Sequence, residues 1–84
     1  MKKIVYLVKK GNEYLTALVG PEGETDVNML TPCFSIYRYD AAQLERAKMA
    51  AQIIAALQRD ENEKWSVERY NKMTYMVEAV ATCG

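Results

Sequence analysis

Cys33, Cys83, Ser35 and Ser66 are the thiols and serine hydroxyls that this chain could offer as nucleophiles. Such a nucleophile needs a neighbouring base to activate it, most often an imidazole. The chain contains no histidine, so a Cys–His pair cannot form within it. Neither serine sits in a Gly-x-Ser-x-Gly elbow. The cysteines form no CxxC pair, and a zinc site wants about four Cys or His ligands. Carboxylates do come in pairs, Glu22 with Glu24 and Glu61 with Glu63. Both pairs lie in turn-like or highly charged stretches, which hydrate carboxylates rather than perturb them. No glycine loop of the phosphate-cradling kind is present, since Gly20-Pro21-Glu22-Gly23 reads as a turn. The expectation is a chain with no catalytic residues, no cofactor and no metal of its own.

Charge narrows the classes further. Eleven Lys and Arg balance eleven Asp and Glu for a formal net charge of zero. A dedicated nucleic-acid binder usually carries a basic excess, and a DNA mimic an acidic one. Lys2, Lys3, Lys9 and Lys10 do cluster at the start, with Tyr6, Tyr14, Tyr37 and Tyr39 as stacking surfaces. Single-stranded nucleic-acid binding is therefore the rival reading. Lysines at strand ends and turns also blunt sheet edges, so nucleic acid is not the expected partner. No apolar run approaches the ~20 residues of a membrane span. The run Ile4–Val8 after Met1-Lys2-Lys3 is too short for a signal peptide. A cytoplasmic setting with both thiols reduced is expected.

The elements that must position these residues follow from pattern. At 84 residues, half of them hydrophobic by type, the chain supports a single α+β domain over 1–84, burying roughly 60–65% of its unfolded surface. Two β-rich runs, 3–9 and 13–19, flank Gly11-Asn12, a two-residue hairpin turn. That turn sets Lys10 opposite Glu13, Val8 opposite Leu15, Tyr6 opposite Ala17 and Ile4 opposite Val19. Alternation then puts Ile4, Tyr6, Val8, Leu15, Ala17 and Val19 on one face, the expected core face. Residues 24–32 fit a short strand or an irregular loop equally well. A strand is expected at 34–39. Asp40 is placed to cap a helix over about 41–58, rich in alanine, with a stripe of Leu44, Ala47, Ala51, Ile54 and Leu57 or Gln58. Residues 65–81 fit a helical stripe of Tyr70, Met73, Val77 and Val80. Their aromatic and β-branched content favours strand instead, as one strand or two broken near Asn71-Lys72. The expected fold is thus a mainly antiparallel sheet of three to four strands with one principal helix on one face. The expected core is Ile4, Tyr6, Val8, Leu15, Ala17, Phe34, Ile36, Leu44, Ala47, Ala51, Ile54 and Val77.

One helix covers one sheet face. The other face would present Val5, Leu7, Tyr14, Leu18, Tyr37 and Tyr39, an apolar patch around the limit that monomers tolerate. Six tyrosines, one tryptophan and five methionines are a heavy load of interface-favoured types. These six residues are the candidate partner-binding surface, to be covered by another protein or, in a homodimer, by a second copy.

The order of features also carries a resemblance. A Lys-rich start enters a strand, a short turn leads to Tyr14-Leu15-Thr16, and Tyr37-Arg38-Tyr39-Asp40 opens into an Ala- and Glu-bearing helix before a closing strand. This resembles small proteins carried by bacteriophages and prophages of Gram-positive bacteria. The resemblance implies a protein that works by docking on a host or phage protein, in some cases blocking a host defence nuclease as anti-CRISPR proteins do. It brings no catalytic residues with it.

Overall fold

In a computed structural model that describes residues 3–80, the chain forms five strands and one helix in an α+β arrangement. The strands are β1 (Ile4–Lys10), β2 (Glu13–Val19), β3 (Thr31–Ser35), β4 (Trp65–Asn71) and β5 (Val77–Val80), with helix α1 at Ala47–Leu57. They lie in the order β3-β2-β1-β4-β5, each neighbour antiparallel to the next. The expected three to four strands become five because residues 65–80 form a hairpin. Its break falls at Asn71-Lys72, where alternation and turn chemistry place it.

The Gly11-Asn12 turn forms as its residues dictate. Gly11 takes a left-handed φ of 61°, and Lys10 faces Glu13. Beyond Lys9–Tyr14, however, the two strands part, and the expected pairing of Val8 with Leu15, Tyr6 with Ala17 and Ile4 with Val19 does not occur. Residues 41–44 enter the gap in extended form. Leu44 and Tyr6 exchange backbone bonds, Tyr6 N–H to Leu44 C=O at 2.8 Å and Leu44 N–H to Tyr6 C=O at 3.0 Å. On the other flank, the Ala42 N–H reaches the Leu15 C=O at 2.9 Å.

That inserted segment explains why the helix starts at Ala47 rather than at 41. Backbone bonds to two strands at once outweigh the helix propensity of Ala41-Ala42-Gln43-Leu44. Asp40 is not a helix cap either, because its carboxylate accepts from the Ser35 hydroxyl at 2.7 Å. The same serine oxygen accepts from the Tyr37 N–H at 3.1 Å, which turns the chain out of β3 at Ser35 and not at 39. A single 3-10 turn, Arg38–Asp40, follows.

The core has two sides. On the helix side, Ala50, Ile54 and Leu57 of α1 cluster with Val8, Leu15 and Val67 of the sheet, with Tyr6, Phe34 and Leu44 half-buried beside them. The stripe of α1 is Ala50, Ile54 and Leu57, and Ala51 faces out. Starting the helix later removes Leu44 from it, and Ala50 takes the inward place expected of Ala51, while Ile54 and Leu57 lie inward as expected. Ala50 is wholly buried, and its small side chain lets α1 lie close on the sheet. On the reverse side Val5, Leu7, Tyr14 and Ala41 form a second buried cluster, joined by Tyr70.

A register shift in β2 between Leu15 and Ala17 decides which of its residues face the helix. The extra residue, Thr16, donates its hydroxyl to the Cys33 C=O at 3.2 Å. A bulge moves every later side chain to the other face. Leu18 therefore joins Leu15 on the helix side, while Ala17 and Val19 are exposed. Ile36 is also exposed, lying past the end of β3, and Ile4, Ala47 and Val77 are half-buried.

Candidate functional site

The reverse face of the sheet is organised around Glu68 of β4. Its Oε1 accepts from the Tyr14 hydroxyl at 2.9 Å and from Arg38 Nε at 3.2 Å, and its Oε2 lies 3.5 Å from Lys9 Nζ. Only 13% of its side chain is exposed. The Arg38 guanidinium spreads over the rings of Tyr14 and Tyr70, with 5.5 and 5.9 Å to their centroids, and Lys9 sits 5.3 Å from the Tyr14 centroid. Burial and the Glu68 carboxylate push the Tyr14 phenol above its ordinary value. Partial burial alone would lower the Arg38 pKa, but the bond to Glu68 and its charge outweigh this and raise it. Arg38 is a fixed cation.

Next to this network opens a cleft of about 430 Å³, lined by Leu7, Arg38, Tyr39, Gln43, Tyr70, Lys72 and Tyr75. Three segments build its walls over Leu7 of β1 and Tyr70 of β4. The turn at Arg38–Asp40 supplies Arg38 and Tyr39, and the inserted segment supplies Gln43, whose Oε1 accepts from Lys72 Nζ at 3.2 Å. The β4–β5 turn supplies Lys72 and Tyr75. Asn71 shapes that turn, its Oδ1 accepting from the N–H groups of Met73 at 2.9 Å and Thr74 at 3.1 Å. Its backbone C=O accepts from the Tyr75 N–H at 2.8 Å.

Tyr75 itself has a φ of 61°, in the left-handed region, and is the one non-glycine residue there among those described. For a residue with a Cβ this conformation costs roughly 1–2 kcal/mol. Its ring recovers little by burial, being 75% exposed. Tyr39 is 79% exposed and stacks on Tyr37, with centroids 5.2 Å apart and an interplanar angle of 21°. The cleft thus offers three aromatic rings and two cations, with no carboxylate in its lining.

Of the six sequence-derived candidates, the structure gathers only Leu7 and Tyr39 at this cleft, with Tyr37 beside them. Val5, Leu7 and Tyr14 do not form an open apolar face. Ala41 and Tyr70 pack on them, so the chain covers this surface itself, and the area argument for a second copy loses its basis. Leu18 lies on the opposite side, carried there by the bulge. Arg38, Gln43, Tyr70, Lys72 and Tyr75 are the members that sequence reasoning missed. Arg38 had a signal in its place between Tyr37 and Tyr39. Lys72 and Tyr75 became legible only once a hairpin was assumed after Asn71.

Two of the four N-terminal lysines have structural partners. Lys9 pairs with Glu68, and Lys10 with Glu63 at 3.0 Å, where it also lies near the rings of Phe34 and Trp65. Lys3 is exposed, while Lys2 and Cys83 fall outside the described residues. Cys33 is half-buried in β3. Among the described residues no group of three or more His, Cys, Asp or Glu side chains is placed to hold a metal ion. No described helix is long and apolar enough to cross a membrane. No family model, no curated protein and no solved structure matches this chain.

Proposed function

We propose that this chain is a non-enzymatic binding protein that docks a segment of another protein in the cleft between Arg38–Asp40 and the β4–β5 turn. One observation carries the reading: Tyr39 and Tyr75 line the cleft yet remain 79% and 75% exposed. Tyrosine and arginine are the types that most often supply binding energy at interfaces. Tyr75 is held in a costly backbone conformation while its ring stays out of the core. Strain kept without a gain in packing gathers where a side chain serves recognition. Within the setting that the phage-protein resemblance implies, the partner is a host or phage protein, and restraint of a host defence nuclease is the most specific form of the proposal.

Affinity capture from a Gram-positive host lysate, run in parallel with wild type and a Tyr39→Ala, Tyr75→Ala variant, tests it. The expected result is a partner, identified by mass spectrometry, that the wild type retains and the folded variant loses. Equal retention by both removes the cleft as the docking surface. The single-stranded nucleic-acid reading draws on the same rings and cations. Its affinity would fall steeply with salt, and two of its four expected lysines are engaged with Glu68 and Glu63.

A further inference from the structure

We infer that the cleft takes an acidic, extended peptide segment, with a partner Asp or Glu placed between Arg38 and Lys72. The inference rests on the docking reading above and adds the chemistry of the occupant. The lining contains two cations and no anion. Glu68, the carboxylate that contacts this group, lies beneath Arg38 and is shared with Lys9 and the Tyr14 hydroxyl. Asp40, from the same turn as Arg38, is bound to Ser35 and is not part of the lining. Lys72 has no ion-pair partner among the described residues and rests on the neutral oxygen of Gln43. It is a cation held in place by an amide that can yield to a carboxylate.

The other lining groups suit the flanks of such a residue. Half-buried Tyr70 gives an aromatic floor, and Tyr39 and Tyr75 give rings against which neighbouring side chains or peptide planes can pack. A nucleic-acid strand fits less well, because it needs a track of cations for successive phosphates. The lining holds two cations, Arg38 and Lys72, and Lys9, outside it, is bound to Glu68 as Arg38 is through its Nε. One free ammonium beside one guanidinium matches a single carboxylate better than a phosphate chain.

A display library of random short peptides, selected on immobilised wild type and counter-screened on the Tyr39→Ala, Tyr75→Ala variant, decides this. The expected outcome is cleft-dependent peptides enriched in Asp and Glu over the input library. The strongest of them should lose about tenfold or more in affinity on Lys72→Glu, the loss expected when a charge-assisted bond is removed. Changing its acidic residue to lysine should restore affinity for that variant, and this swap shows that the variant is folded. Cleft-dependent peptides without acidic enrichment overturn the inference and leave the docking reading standing. Peptides indifferent to the tyrosine variant, or none at all, overturn both. An oligothymidine that binds the same cleft in place of any peptide puts the nucleic-acid reading in their stead.

Discussion

The hydroxyl of Tyr14 in β2 donates to Oε1 of Glu68 in β4 at 2.9 Å, although β1 lies between the two strands. The bond reaches across the central strand and ties the two halves of the sheet on the side away from the helix. Tyr14→Phe should cost about 1.5–2 kcal/mol in chemical denaturation, the low end of the range for a hydrogen bond to a charged acceptor. Glu68→Ala should cost more, about 2–3 kcal/mol, because Arg38 and Lys9 lose their shared anion in a partly desolvated place. The Tyr14 phenol is raised above its ordinary value, so the folded state favours the neutral form. Its stabilisation is present below about pH 10 and is lost as pH rises through the folded value. Wild type should therefore weaken in alkali more than Tyr14→Phe does, which urea midpoints at neutral and high pH will show.

A sheet with buried clusters on both faces has no expendable side. Leu7→Ala and Leu15→Ala, on opposite faces, should each cost roughly 2–5 kcal/mol. Ile36→Ala should stay within about 0.5 kcal/mol, as exposed substitutions do. A near-neutral Leu7→Ala would mean that the reverse face is open to solvent.

Glu63 gives the acid side of the stability curve. Its Oε1 accepts from the Arg59 N–H at 2.8 Å, the Asp60 N–H at 3.2 Å and Trp65 Nε1 at 3.3 Å, and Lys10 Nζ lies 3.0 Å from its Oε2. The Arg59 backbone bond, the Lys10 ammonium and the Asp60 backbone bond together lower its pKa from 4.5 to about 2. A carboxylate lowered in the folded state stabilises above its unfolded pKa, and the contribution disappears as pH falls through the folded value. Urea midpoints should drop between pH 4.5 and about 2. Glu63→Gln should flatten that part of the slope.

Tyr75 separates stability from recognition. Tyr75→Gly removes a left-handed strain of roughly 1–2 kcal/mol and adds an entropy cost of about 0.5–1 kcal/mol. The variant should melt at or slightly above the wild-type temperature while losing affinity for whatever the cleft binds. A clear loss of stability would show that the ring packs for folding and serves no ligand.

Much of this architecture was legible because it rests on local chemistry. Gly11-Asn12 places its turn, and strand alternation and helical spacing mark Val8, Leu15 and Ile54 as core. The two-strand option for 65–81 survived because Asn71 makes a good turn residue. What stayed hidden depends on long-range pairing. Nothing in Ala41-Ala42-Gln43-Leu44 says that it will leave a helix for a gap between β1 and β2. No pattern marks the bulge at Thr16 that sends Leu18 to the other face. The cleft inherits both difficulties, since Gln43 comes from the inserted segment and Lys72 from a turn between two strands that sequence left undecided.

The four residues lodged between β1 and β2 make the sheet's closure and the cleft's occupancy one equilibrium. Ala41 and Gln43 face the cleft side and Leu44 the helix side, so withdrawing the segment would uncover both at once. Few backbone bonds hold it, which places its release among the low-energy openings that amide exchange detects short of global unfolding. The amides of Tyr6, Ala42 and Leu44 then exchange together, as a latch. A ligand gripping Tyr39 and Gln43 draws its free energy partly from keeping that latch shut and slows all three amides by the factor 1 + [L]/Kd. Occupancy at the rim would be recorded in the middle of the sheet, at hydrogens that no ligand touches.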